Sequence, residues 1–184
     1  HAAVLSANLI FFIIFSAVQF ITKKSIAPFG LNVIRVGVST LLLWALIFIP
    51  ETRAGIKKKD LGRFFLCAIT GVVINQMLFI KGLSMTLSIH ASLLILVTPI
   101  FITIVASWIG TEKLTPLKIT GLITGVSGAV ILVINKEQTA TGSSIFWGDL
   151  FIIINAISYA FYFVLVKPLM KEYNPVHVIR WVFT

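Results

Sequence analysis

Residues 2–22 carry no charged side chain, and uncharged apolar runs return at 36–50, 64–80, 91–110, 119–135 and 150–166. A hydrocarbon core about 30 Å thick is crossed by about 20 helical residues. Backbone inside lipid finds no water, so each run must satisfy its own amides, which an α-helix does. Barrel strands would alternate polarity over about 10 residues, whereas residues 9–15 are continuously apolar. The expected fold is therefore all-α: a polytopic transmembrane helix bundle of about six spans, with 176–184 starting a seventh. Composition agrees, at 58% hydrophobic and 11% charged with a mean hydropathy of +1.04. Soluble domains run about 45–50% apolar and about 25% charged.

The charges lie between the runs. Arg53, Lys57, Lys58, Lys59, Arg63, Lys113, Lys118, Lys167 and Lys171 fall on one side of the predicted topology. Lys23, Lys24, Lys81 and Lys136 fall on the other, with Arg35 near an interface. The richer side is expected to be cytoplasmic, which puts the N-terminus in the cytoplasm of a cell with this protein in its plasma membrane. The net charge of +9 follows from this placement. No basic helix face with interleaved aromatics accompanies it, so nucleic-acid binding is not expected. Cys67, the single cysteine, lies in an apolar run and can build neither a disulfide framework nor a cysteine metal site. The opening residues have neither a basic n-region nor a small-residue cleavage site, so no signal peptide is expected there. A chain that starts at His1 and stops inside an apolar segment is expected to be a fragment of a longer protein.

Two stretches resemble each other. Ile10, Ala17, Phe20 and Lys24 match Ile153, Ala160, Phe163 and Lys167 at constant spacing. The tetrapeptide at 32–35, Asn-Val-Ile-Arg, then matches His-Val-Ile-Arg at 177–180. An odd number of spans separates the copies, so they would sit in opposite orientations, as in the inverted repeats of secondary transporters. Unrelated helices of shared composition are the alternative.

Polar side chains at membrane depth need partners. Asn8, Ser16 and Gln19 lie on the first run, Asn75 and Gln76 on the third. Asn155, Ser158, Tyr159 and Tyr162 on the sixth keep the spacing of one helical face. Such a stripe is costly against lipid and is expected to face the bundle, either bonding neighbouring helices or lining a wet cavity. As a set, residues on three spans favour the cavity. Thr98-Pro99 sits mid-span, where proline removes a backbone bond and predicts a kink. Gly121, Gly125 and Gly128 lie along one face of the fifth span, suited to close helix packing or to a homodimer contact. His90, near a span end, is expected to be solvated. No acid lies mid-span. No catalytic grouping, metal-ligand cluster or phosphate loop is present, and no cofactor or metal is implied.

The run at 82–102, containing Thr98-Pro99, resembles the span-four signature of EamA-type transporters in the drug/metabolite transporter superfamily. The family pattern continues with Gly-Glu and a glycine-rich helix; here Gly110-Thr111-Glu112 departs by one inserted threonine, followed by Gly121, Gly125 and Gly128. Trp147-Gly-Asp-Leu and the segment 156–162 resemble the opening of that family's second repeat, and Pro28 and Arg35 its first-to-second span segment. The resemblance implies ten spans in two inverted five-helix repeats, 1–136 and a truncated 145–184, around a central cavity. It also implies alternating access for small metabolites, often outward. In that reading Asn75, Gln76, Thr98, Pro99, Asn155, Tyr159 and Tyr162 would contact substrate, and Glu112 and the three glycines would shape or gate the helices. A membrane-embedded scaffold subunit without transport is the alternative. An intramembrane enzyme would need a catalytic group that this sequence lacks.

Overall fold

The computed structural model describes residues 28–45, 55–110, 115–134 and 143–184. Every described element is helical. The helices are α1 (Pro28–Ala45), α2 (Leu61–Ala68), α3 (Asn75–Met85), α4 (Ser88–Ile95), α5 (Thr98–Trp108), α6 (Pro116–Ile134), α7 (Ser143–Glu172) and α8 (Pro175–Val182). A 3-10 turn at Lys58–Asp60 leads into α2, and a π turn at Ile69–Ile74 joins α2 to α3. Three stretches are long and apolar enough to cross a membrane: Lys58–Met85, His90–Trp108 and Ser144–Glu172; Asn32–Ala45 is a shorter apolar helix. The first predicted span, with Asn8, Ser16 and Gln19, lies outside the described residues, as does Glu112.

Local sequence explains where these helices break. The third run leaves α geometry over Ile69–Ile74, around Gly71, where a side chain would collide with the Tyr162 ring at 2.4 Å. The helix stops at Met85, with Thr86 extended, and resumes at Ser88. At Thr98-Pro99 the kink expected from sequence is a two-residue break in the α ladder, with Leu96 and Val97 still right-handed within the stretch His90–Trp108. α4 ends at Ile95, Leu96 and Val97 tighten onto Leu93 and Leu94, and α5 starts afresh with Pro99 in its first turn. A proline there has no amide hydrogen to lose, so the break spares the cost of a proline in mid-helix. Asn174 caps α8 by accepting from the Val176 amide at 2.9 Å, and Pro175 follows it.

α7 is the element around which the rest assembles. It packs against α2, the π turn, α3, α4, α5 and α8. Three apolar clusters mark these seams. Phe64, Cys67 and Val72 meet Val166, Leu169, Val178 and Val182. Ile80, Leu83 and Ala91 meet Ile152. Val105 and Ala106 meet Ala160 and Val164. α3 and α7 approach closely through paired glycines: a side chain on Gly82 would lie 2.9 Å from the Gly148 carbonyl oxygen, and one on Gly148 would lie 2.7 Å from the Thr86 amide nitrogen. Between helices in lipid, such contact supplies the dispersion energy that a hydrophobic drive cannot.

The outward faces are apolar. Val33, Leu41, Phe65, Leu96, Trp108 and Leu117 are each at least 65% exposed. Apolar exposure on this scale calls for another covering than water, and with spans of this length the chain is an α-helical integral membrane protein.

Candidate functional site

The polar stripe of α7 faces inward, and its first duty is to the π turn. Asn75 and Asn155 exchange side chain for backbone: Asn155 Nδ2 donates to the Asn75 carbonyl at 2.6 Å, and Asn75 Nδ2 donates to the Asn155 carbonyl at 3.4 Å. Ser158 Oγ donates to the Thr70 carbonyl at 2.7 Å. A π turn shifts the backbone register and turns carbonyls out of the helical ladder. Here those carbonyls find α7 side chains instead of lipid, which removes the penalty for a bare acceptor. Asn155 and Ser158 are accordingly buried.

Beside this joint lies a cavity of about 550 Å³. α3 contributes Asn75, Gln76 and Phe79, while α4 and α5 contribute Ile95, Thr98, Pro99 and Ile102. α7 contributes Asn155, Tyr159 and Phe163, and α1 contributes Arg35. The Tyr159 and Phe163 rings lie 6.2 Å apart and form an aromatic wall. Asn75, Thr98 and Asn155 all lie near the middles of their apolar stretches, so the cavity lies level with the middles of these candidate spans.

Six of the residues singled out from sequence therefore meet in one space: Asn75, Gln76, Thr98, Pro99, Asn155 and Tyr159. Tyr162 does not line it. Its ring sits over Gly71 and joins the cluster around Phe64 and Cys67. Gly121, Gly125 and Gly128 are on α6, away from the cavity. A side chain on Gly125 would lie 3.3 Å from Ile100, and one on either of the other two would meet no described residue within 4 Å. The close helix approaches run through Gly71, Gly82 and Gly148 instead.

Arg35, Phe79 and Phe163 were not among the sequence-selected residues, and Arg35 was expected at an interface. Phe163 follows Tyr159 at helical spacing, and Phe79 follows Gln76 the same way. Extending those faces by one turn would have found both. The corresponding Arg180 is buried against the Trp44 ring, its centre 5.1 Å away, with Nη2 3.0 Å from His177 Nδ1.

The described acids stand at the two ends of the bundle. Asp149, in the second turn of α7, hydrogen-bonds Thr86 and lies 3.1 Å from His90 Nδ1. His90 is thus held by a carboxylate instead of standing alone in solvent. At the other end Tyr173 donates to Asp60 at 2.8 Å and accepts from the Lys57 amide. Glu172 takes Lys57 and Lys59 at 3.3 and 3.6 Å. Among the described residues no His/Cys/Asp/Glu group could hold a metal.

Comparison with known proteins places this geometry in context. Residues 1–134 match the model of the EamA-like transporter family. An uncharacterized transporter of Bacillus subtilis, YoaV, is 23% identical over 156 residues, covering 85% of this chain and 53% of that protein. An uncharacterized transporter of Archaeoglobus fulgidus is 26% identical over 162 residues, covering 88% and 55%. The chain thus spans about half the length of these curated relatives. No solved structure matches it.

Proposed function

The chain belongs to the EamA-like transporter family, and from that premise we propose that it forms the first repeat and the opening of the second in a ten-span secondary transporter of small metabolites. The observation that carries this reading is the mid-depth cavity walled by α1, α3, α4, α5 and α7, with amides and a phenol turned into a space of about 550 Å³. A cavity of that size suits a metabolite-sized ligand. Residues 1–136 form one five-helix repeat and 145–184 begin its inverted copy. The extent of the family match, 1–134, supports that boundary.

In this reading Gln76, Asn75 and Asn155 hydrogen-bond the substrate, and Tyr159 stacks on it. The Thr98-Pro99 break lets α4 and α5 change angle independently, which alternating access requires. Tyr162 and Ser158 hold the π turn in register and act on substrate only through it. Glu112 orders a helix end beside the basic loops, and the α6 glycines leave a smooth face for a neighbouring helix or a second copy. The lysine-rich loops face the cytoplasm of a plasma-membrane protein, and net transport is outward. No enzymatic step belongs to this scheme.

The test is flux of labelled metabolites into or out of liposomes bearing the full-length protein. Asn75→Leu and Tyr159→Leu are expected to fold and to lose most of the flux. Wild-type rates in both variants would remove the cavity from the mechanism. Absence of flux across a broad panel would return the chain to the scaffold reading.

A further inference from the structure

Arg35 brings a permanent positive charge to the cavity wall, and no acid accompanies it there among the described residues. The sequence holds only six acidic residues. Of these, Asp60, Asp149 and Glu172 are engaged at the bundle ends by Tyr173, by His90 and Thr86, and by Lys57 and Lys59. The others, Glu51, Glu112 and Glu137, lie in the segments between apolar runs. No described carboxylate therefore neutralises Arg35. A guanidinium at membrane depth is costly unless an anion or water answers it, and its planar fork matches a carboxylate in two parallel bonds.

The rest of the wall supplies the second half of a recognition pattern. The Tyr159 and Phe163 rings form one face, with Phe79, Ile95 and Ile102 completing an apolar lining. Gln76 provides an amide whose hydrogen bonds are taken by no described residue. We infer that the cavity selects small organic anions: molecules with a carboxylate for Arg35 and an aromatic or other flat apolar body for the Tyr159–Phe163 wall. This rests on the transport reading for its physiological meaning, and it assigns that site a substrate class. It also makes Arg35 the residue that decides charge specificity.

Three probes that share one ring system separate charge from shape: indole-3-acetate, indole-3-acetamide and tryptamine, which are anionic, neutral and cationic at pH 7. Equilibrium dialysis of each radiolabelled probe against the full-length protein in detergent measures binding without requiring transport. Liposome flux of the same probes measures transport. Wild-type protein is expected to bind the anion at least about tenfold more tightly than the amide, the discrimination one charge-assisted pair supplies. Arg35→Gln is expected to bring anion and amide within about twofold, and Arg35→Lys to keep part of the preference because it keeps the charge. Equal binding of all three probes to the wild type, binding of none, or preference for tryptamine overturns the inference, and these outcomes need no variant to fold. An anion preference that survives Arg35→Gln overturns the assignment to Arg35. Charge-selective binding without flux of any probe would sustain the inference and sink the transport reading, so the two fail separately.

Discussion

Gly148 and Gly128 are both helical glycines, yet the same change to alanine should move stability in opposite directions. At Gly148 the added methyl would lie 2.7 Å from the Thr86 amide nitrogen and 2.9 Å from the Met85 carbonyl carbon. Both are backbone atoms, so no rotamer change relieves the contact. Restoring an ordinary 3.4 Å separation requires α7 to draw back from the turn after α3 by about 0.7 Å. Forcing a methylene into a packed seam costs roughly 1–3 kcal/mol, against about 1 kcal/mol gained because alanine prefers a helix. The movement also strains the bonds that Asp149 accepts from Thr86 and shares with His90. A net loss of about 1–2 kcal/mol is expected for Gly148→Ala. At Gly128 an added methyl meets no described residue within 4 Å, so Gly128→Ala should gain roughly 0.4–1 kcal/mol. Thermal unfolding of the full-length protein in mild detergent reads both. Hydrogen exchange should show faster opening around Thr86 in Gly148→Ala alone. A Gly148→Ala protein as stable as wild type would refute the close approach of α3 and α7. A comparable loss in Gly128→Ala would mean that the α6 face is covered, by a neighbouring helix or by a second copy of the chain.

Asn155→Leu removes the bond from the Asn155 amide to the Asn75 carbonyl and keeps the backbone carbonyl that accepts from Asn75; at roughly 0.6–1.7 kcal/mol per interhelical bond in membranes, it should lower stability measurably, and an unchanged unfolding curve would contradict the joint. Ser158→Ala exposes the Thr70 carbonyl, and faster amide exchange across the π turn, with little change near α8, is the expected signature. Cys67 is fully buried in the α2–α7–α8 cluster, so a maleimide should label it only after denaturation; rapid labelling of the folded protein would contradict that packing. Tyr173→Phe removes the donor to Asp60 and the acceptor for the Lys57 amide, and is expected to cost about 1–2 kcal/mol and to increase proteolytic nicking near Lys57.

Much of the helical plan was legible because lipid imposes it. Where no water is available, an uncharged run of sufficient length has one backbone solution, and 64–80 and 150–166 lie inside the long helical stretches Lys58–Met85 and Ser144–Glu172. Proline chemistry marked the break at Thr98-Pro99, because a missing amide hydrogen is a property of the residue itself. The inward turn of Asn155 and Ser158 was likewise legible from spacing, since a polar stripe has one inexpensive direction to face.

Choice of neighbour was not legible. Tyr159 and Tyr162 share a helical face and a chemistry, yet Tyr159 lines the cavity while Tyr162 is claimed by Gly71 in the π turn. Nothing local to α7 distinguishes them; the distinction comes from where α2 and α3 deviate. Arg35 looked interfacial because charge at depth is costly, and only the gathering of α1, α3, α5 and α7 revealed a cavity, with amides in its wall, able to receive it. The glycines differ for the same reason. A small-residue stripe states that a helix can approach closely, and the tertiary arrangement decides whether one does. In lipid, a leucine against a tail and a leucine against a helix are nearly equivalent. Apolar pattern alone therefore marks where helices form, whereas their partners are set by shape, by displaced carbonyls and by the few polar groups that must meet.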